Sequence, residues 1–367
     1  MPGKSSRKFN SEGIVALLFT ILYLLLPTKM YYIDGVFYAE HLENIPYYVN
    51  GFHPHHLLYL PLMHFFYGVL HSILTALKGM TFLLIFSAVS GGITLYLFSL
   101  FLRKFGFSTF SRMCGTILLG SSYTYWHHST DANIYIPAHL LTFIVILLVY
   151  SDNFMESRAK QILAGLLLGF AGLIHQISLF AILPLAWLIF IRTPDKKLQP
   201  VLRFVISTLL VLIITYPTVF ALYHGDTPAT AGNFLRWTGA FARGSHYFSF
   251  NKEHAGNFID TTSRGHTNAF FPLKSLERVL YDKSTGDTPA SFRLYRFIHV
   301  LTLFSVGIFI LVIFNKKDET QKTNNKFILF LFMVYYMLTA VFMPENHFYR
   351  IFYLPPLITI WIALTAS

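Results

Sequence analysis

Residues 53–77 read HPHHLLYLPLMHFFYGVLHSILTAL. The stretch is apolar enough to cross a bilayer, which takes about 20 mostly apolar residues. Yet it opens with three histidines around Pro54 and carries Pro61, His64 and His71 within it. Whether it crosses decides the orientation of everything that follows.

Ten other apolar runs surround it, at 12–30, 79–101, 111–126, 132–150, 160–175, 176–192, 203–223, 294–314, 326–343 and 351–366. Cytoplasmic loops of membrane proteins carry an excess of Lys and Arg. With 55–77 not crossing and the N-terminus inside, the inner segments hold 16 of the 28 basic residues. The short outer segments then hold only Lys29, Lys78 and Arg350, and nine more lie in the long 224–296 stretch. A crossing at 55–77 reverses that asymmetry. The expectation is therefore an interfacial helix at 55–77, where prolines and histidines are tolerated.

Composition agrees with a membrane class. Of 367 residues, 54% are hydrophobic and only 12% charged, with mean hydropathy +0.53. Soluble domains carry about 25% charged residues. Disorder is excluded as well, because it needs low hydrophobicity. The net charge of +11 does not point to nucleic acid, since the basic residues sit in short clusters between apolar runs. The single cysteine, Cys114, rules out an intramolecular disulfide. The fold class expected is all-α: a single polytopic domain over 1–367 with about ten transmembrane helices. It has a first outer loop at 31–78 with interfacial helices and a long outer loop at 224–293. Lys4, Arg7 and Lys8 before the first run, with no small-residue cleavage site after it, read as a retained signal anchor. The last run ends without a basic residue after it, which reads as a truncated chain.

With this orientation the residues able to do chemistry collect on one side. Outside lie Asp34, Glu40, Glu43, His53, His55, His56, His127, His128, Asp131, His175, Gln176, the 224–293 loop, Glu345, His347 and Arg350. Asp34 follows the first span directly and is either the cap of a short helix or a partly desolvated carboxylate with raised basicity. Glu40 and Glu43 read as the solvated face of that helix. HPHH is not a defined zinc pattern, for no Cys or carboxylate follows at helical spacing. Asp131 is either an N-cap or a second carboxylate facing Asp34. His175 is either a satisfied buried histidine or a ligand-binding one. Gly165, Gly169 and Gly172 read as close helix packing. Trp126 is an interface anchor. Arg350 either snorkels or clamps a phosphate with its fork. The 224–293 loop, with pieces such as WTGAFARGSHYFSF, reads as short helices in a lid or binding element.

Five elements now stand in order: an acidic first outer loop, an HP element opening an interfacial apolar stretch, span–basic turn–span, a Trp126-to-Tyr135 element, and a glycine-spaced segment ending in His175 and Pro184. Over roughly 12–192 this resembles the GT-C superfamily of membrane glycosyltransferases, and within it the protein O-mannosyltransferase-like branch. The chain departs from the family in reading HPHH where HPPG or HPPL is common, and in having Asn133 near the Trp…Tyr element with Asp131 earlier. No soluble C-terminal repeat domain follows.

The resemblance implies transfer of a sugar from a polyprenyl-phosphate donor to a hydroxyl acceptor on protein, lipid or glycan, with inversion. It implies Asp34 as general base, with Asp131 positioning the acceptor or an optional divalent cation. His53, His55, His175, Arg350, Glu40 and Trp126 would bind substrate. No other cofactor is implied, and the setting is a bacterial inner membrane with the site on its outer face. The competing class is a non-enzymatic transporter or flippase of lipid-linked sugars. A transporter places ionisable groups near mid-bilayer, and none of the 17 acids falls at the centre of a run. A third reading is a family member that binds the donor without turnover.

Overall fold

A backbone surrounded by hydrocarbon must satisfy its own N–H and C=O groups, so apolar runs of this kind fold as helices. The computed structural model describes residues 11–29, 31–46, 51–193, 198–223, 228, 230–239, 258–272, 289–342, 344, 346 and 348–365. Among these every regular element is helical and none is a strand.

In the first half, α1 (Ser11–Leu25) leads to α2 (Ile33–Asn44), a 3-10 turn (Pro54–His56) and α3 (Tyr59–His71). Next come α4 (Gly79–Lys104), α5 (Thr109–Ser121), α6 (Tyr123–Thr130), α7 (Tyr135–Val149) and α8 (Arg158–Ile174). A longer 3-10 segment (Gln176–Ala181) then enters α9 (Ile182–Arg192). The second half holds α10 (Gln199–Tyr223), α11 (Ala231–Thr238), α12 (Phe258–Phe270), α13 (Pro289–Asn315), α14 (Glu319–Val341), a 3-10 turn (Phe348–Phe352) and α15 (Leu354–Thr365).

Four helices are long and apolar enough to cross a membrane: α4, α10, residues 293–315 of α13, and α14. The pair α6 and α7, bent by 110° at the break between them, makes up to five. Their exposed faces are apolar, with Ile213 and Ile214 on α10 and Phe304, Leu311 and Phe314 on α13 all more than 60% exposed. Apolar patches of that size fit a membrane protein. The expected runs 12–30, 176–192 and 351–366 appear as shorter apolar helices. The run 111–126 splits at Ser122 into α5 and α6. The run 55–77 contains α3, whose 13 residues span only about 20 Å against a hydrocarbon core of about 30 Å.

The centre is α4, which packs on α1, α2, α5, α6 and α7. The closest helix pair is α8 with α10. Gly165 makes it possible, because a Cβ there would collide with the Phe204 carbonyl and the Ser207 hydroxyl.

The basic clusters share one end of the bundle, tied by their contacts. Arg112 pairs with Glu12, Lys104 with Asp152 at 3.6 Å, and Arg203 donates to Gln161 at 2.9 Å. At this end Tyr150 donates to Asn324 at 3.2 Å. At the other end Glu43 caps α4, accepting from the Gly79 amide at 2.5 Å.

Of the 224–293 loop, the described parts are residues 228, 230–239 with α11, 258–272 with α12, and the start of α13. Thr262, Ser263, His266 and Thr267 of α12 are all buried, so this helix is wedged into the bundle. The remainder of the loop lies outside the described residues.

Candidate functional site

The Asp34–Gly35 pair sets the geometry. Asp34 lies in the first turn of α2 and Gly35 follows it. A Cβ on Gly35 would stand 2.5 Å from the Ala132 carbonyl oxygen and 3.0 Å from the Ala132 Cβ. Glycine thus lets the first turn of α2 press against the break between α6 and α7. That break carries Asp131, outside either helix, so the two acids come to line one crevice together with Tyr32, Tyr38, His127, His128 and Asn133. The crevice has a volume of about 10 Å³, room for about one water.

Asp131 is buried, 1% exposed. Its carboxylate accepts from the Ala132 amide at 2.8 Å and the Tyr32 amide at 3.3 Å, with His127 Nε2 at 3.5 Å. Burial pushes its pKa up to about 6; the two amides oppose this, and the Asp34 charge adds to it. Asp34 is exposed. Desolvation by the surrounding protein raises its pKa above the ordinary carboxylate value.

Asp34 also lines a much larger cavity of about 570 Å³. Among the described residues it is the carboxylate common to both spaces. The cavity's polar wall holds His53, His55, His56, His175 and Gln176. Its apolar wall holds Leu60, Ile177, Phe180, Leu338, Val341 and Phe342.

The histidines are placed by a repeated local device. His53 Nδ1 accepts from the His55 amide at 3.3 Å and caps the Pro54–His56 turn. His175 Nδ1 accepts from the Ile177 amide at 3.3 Å and caps the Gln176–Ala181 segment. A ring nitrogen that accepts carries no proton, so the hydrogen of each neutral ring sits on Nε2. The two turns are clamped together at Pro54, whose carbonyl accepts from Gln176 Nε2 at 2.9 Å and from the Tyr216 hydroxyl at 2.6 Å. Tyr38 Oη lies 3.3 Å from His56 Nε2, and the His53 and His56 rings stack at 4.5 Å. Burial depresses the pKa of all four imidazoles: His55 to about 4 and His175 to about 3, with neighbouring imidazoles adding to the effect. At neutral pH the cavity therefore presents uncharged imidazole donors.

The structure brings together Asp34, Asp131, His53, His55 and His175. It does not bring in the other three residues expected to bind substrate. Glu40 is exposed on α2 and lines neither space. Trp126 packs edge-on against Tyr23 at 5.2 Å and against Phe19 at 6.5 Å, so it ties α6 to α1. Arg350 is fully buried. It donates to the Tyr353 hydroxyl at 3.1 Å, to the Thr262 carbonyl at 3.3 Å and to the Pro344 carbonyl. Glu345 and His347 lie outside the described residues.

Sequence reasoning missed Tyr38 and Tyr349 of the cavity wall, and it had Tyr135 only as part of a motif. Tyr135 stacks obliquely on His175 at 4.8 Å and meets Tyr349 edge-on at 5.7 Å. The signal for Tyr38 was its spacing: it falls one helical turn after Asp34. Among the described residues no group of three ligand-type side chains is arranged to hold a metal ion. What the arrangement offers chemically is a carboxylate of raised pKa shared by a one-water crevice and a larger cavity lined by apolar side chains and imidazoles. No family model, curated protein or solved structure matches this chain.

Proposed function

We propose that the chain is a membrane-embedded glycosyltransferase of the GT-C type. It would move a sugar from a polyprenyl-phosphate donor to a hydroxyl acceptor at the outer face of a bacterial inner membrane. The observation that carries this reading is the position of Asp34, a carboxylate of raised pKa between the Asp131 crevice and the 570 Å³ cavity.

In this reaction Asp34 takes the proton of the acceptor hydroxyl. The acceptor oxygen forms a bond to the anomeric carbon from the face opposite the phosphate, and the carbon–oxygen bond to the phosphate breaks. The polyprenyl phosphate leaves as an anion. No Lys or Arg lines the cavity among the described residues, so stabilisation of that anion falls to the imidazoles. A phosphate beside His53, His55 and His175 favours their protonated forms, which opposes the depression caused by burial. The isoprenoid chain lies along the Leu60, Phe180, Leu338 and Phe342 wall. Asp131 orients the acceptor, with the Tyr32 amide and His127 holding it in place.

Ten passes through the bilayer belong to the same proposal. Support comes from the alternation of ends: α1 begins beside Arg112 and ends beside Thr130, whose carbonyl accepts from the Thr28 amide at 2.9 Å, while α4 runs the opposite way from Glu43 to Lys104. The shorter helices are seated against protein rather than spanning lipid alone. The outer placement of the cavity is supported by the basic clusters at the far end of the bundle.

The test is a transfer assay in proteoliposomes with a radiolabelled polyprenyl-phosphate sugar, comparing wild type with Asp34→Asn. Transfer by wild type and its loss in the variant, with donor still retained, is the expected result. Equal label movement across the bilayer by both proteins, without transfer, would replace the enzyme with a flippase.

A further inference from the structure

At the basic end of the bundle lies a second cavity, of about 430 Å³, lined by Phe105, Gly106, Phe107, Ser108, Ser111, Val312, Lys316, Gln321, Asn325 and Ala363. It lies at the Lys104 end of α4 and shares no lining residue with the Asp34 cavity. Gly106, at φ +80°, reverses the chain after α4 and starts α5 at the cavity wall. Ser108 caps α5, accepting from the Ser111 amide at 3.2 Å, and the two serine hydroxyls lie 2.9 Å apart. The positive end of the α5 dipole therefore faces the cavity.

A helix start does not make a site by itself. The independent observation is Asn325. It is 5% exposed and lines the cavity, yet its amide makes no hydrogen bond among the described residues. A buried polar side chain is normally paired. Asn324 beside it is paired, accepting from the Tyr150 hydroxyl at 3.2 Å. Lys316, which also lines the cavity, is half-buried and forms no ion pair among the described residues. Three other basic residues at this end are paired: Lys104 with Asp152, Arg112 with Glu12 and Lys322 with Glu319. A free ammonium, two hydroxyls at a helix start and an unpaired amide converge on one space with an apolar floor. No carboxylate lines it.

We propose that this cavity binds a phosphate-bearing ligand, its oxygens held by Lys316, the Ser108 and Ser111 hydroxyls and the Asn325 amide. The apolar floor of Phe105, Phe107, Val312 and Ala363 accepts the part that carries the phosphate. Two sources share this chemistry: an anionic lipid headgroup from the adjacent leaflet, and a free phosphate from solution.

The experiment uses the full chain. In phosphatidylcholine nanodiscs it is titrated with phosphatidylglycerol; in detergent it is titrated with inorganic phosphate. Native mass spectrometry and the unfolding midpoint read binding. Lys316→Gln and Asn325→Ala should each weaken binding about tenfold or more, as loss of a charge-assisted hydrogen bond does. Phosphatidylglycerol bound alone identifies the lipid source, and both probes bound identifies a phosphate group as sufficient. Binding of neither probe by wild type, or unchanged binding in Lys316→Gln, overturns the proposal. If Asn325→Ala does not fold, Lys316→Gln at the half-buried helix end decides the matter. Sugar transfer at the Asp34 site is assayed in parallel, so failure of one site is distinguishable from failure of the other.

Discussion

Gly35 and Ala132 touch: a Cβ on the glycine would lie 2.5 Å from the alanine carbonyl oxygen. This contact presses α2 onto the break between α6 and α7, and it is why Asp34 and Asp131 share a crevice although 97 positions separate them. Backbone carbonyls cannot yield as a flexible side chain can, so the contact is stiff.

Gly35→Ala should therefore force α2 off the break. Overpacking of this kind costs about 1–3 kcal/mol. Thermal unfolding in detergent should fall, and any activity that needs both acids should fall further. Gly68→Ala is the control, since nothing lies within 4 Å of a Cβ there; in the interior of α3 it should be neutral or stabilise by up to about 1 kcal/mol.

Asp34→Asn keeps the shape and removes the base of the proposed reaction. Transfer should drop by about 10²–10⁴-fold, with the unfolding midpoint within a degree or two of wild type. A midpoint that collapses together with activity would make Asp34 a structural residue instead.

The acid limb of the rate profile should lie above the ordinary carboxylate range, because desolvation raises the pKa of Asp34. The two acids are coupled, so the limb belongs to the pair. Asp131→Asn removes one charge and should move the limb to lower pH. The stability effect has the opposite direction in pH. Asp131 goes from 3.8 to about 6 on folding, so its contribution is fully present below 3.8 and is lost as pH rises through about 6. Chemical denaturation between pH 4 and 7 should show a shallower loss in Asp131→Asn than in wild type.

Arg350→Gln should cost stability rather than donor affinity. The guanidinium is fully buried and donates to two carbonyls and the Tyr353 hydroxyl. Leaving those groups unpaired costs roughly 3 kcal/mol. The KM for donor should stay within about twofold, whereas a phosphate clamp would raise it at least tenfold.

His175→Ala should act on both levels. It removes the cap of the Gln176–Ala181 segment, worth about 1 kcal/mol, and one imidazole of the cavity. His175→Asn restores an acceptor for the cap. Recovery of stability without recovery of donor KM is the outcome that assigns His175 to the phosphate.

The amino-acid sequence by itself determined the helical membrane class, because hydropathy and charge position are properties of the chain and need no partner. It also marked which residues could reach one end of the bundle, because acids and histidines collect between the same apolar runs. The Gly165 contact was legible for the same reason, since glycine spacing on a helix is local information. What the tertiary structure alone decided was which of those residues meet. Asp34, Asp131, His53 and His175 converge because α2, the α6–α7 break and two capped 3-10 turns pack together across long separations. Glu40, Trp126 and Arg350 could also have bound a substrate by their chemistry, yet packing turns them toward solvent, toward α1 and into a carbonyl cage. Direction of a side chain depends on helix rotation and on neighbours far along the chain, and neither is written in local spacing.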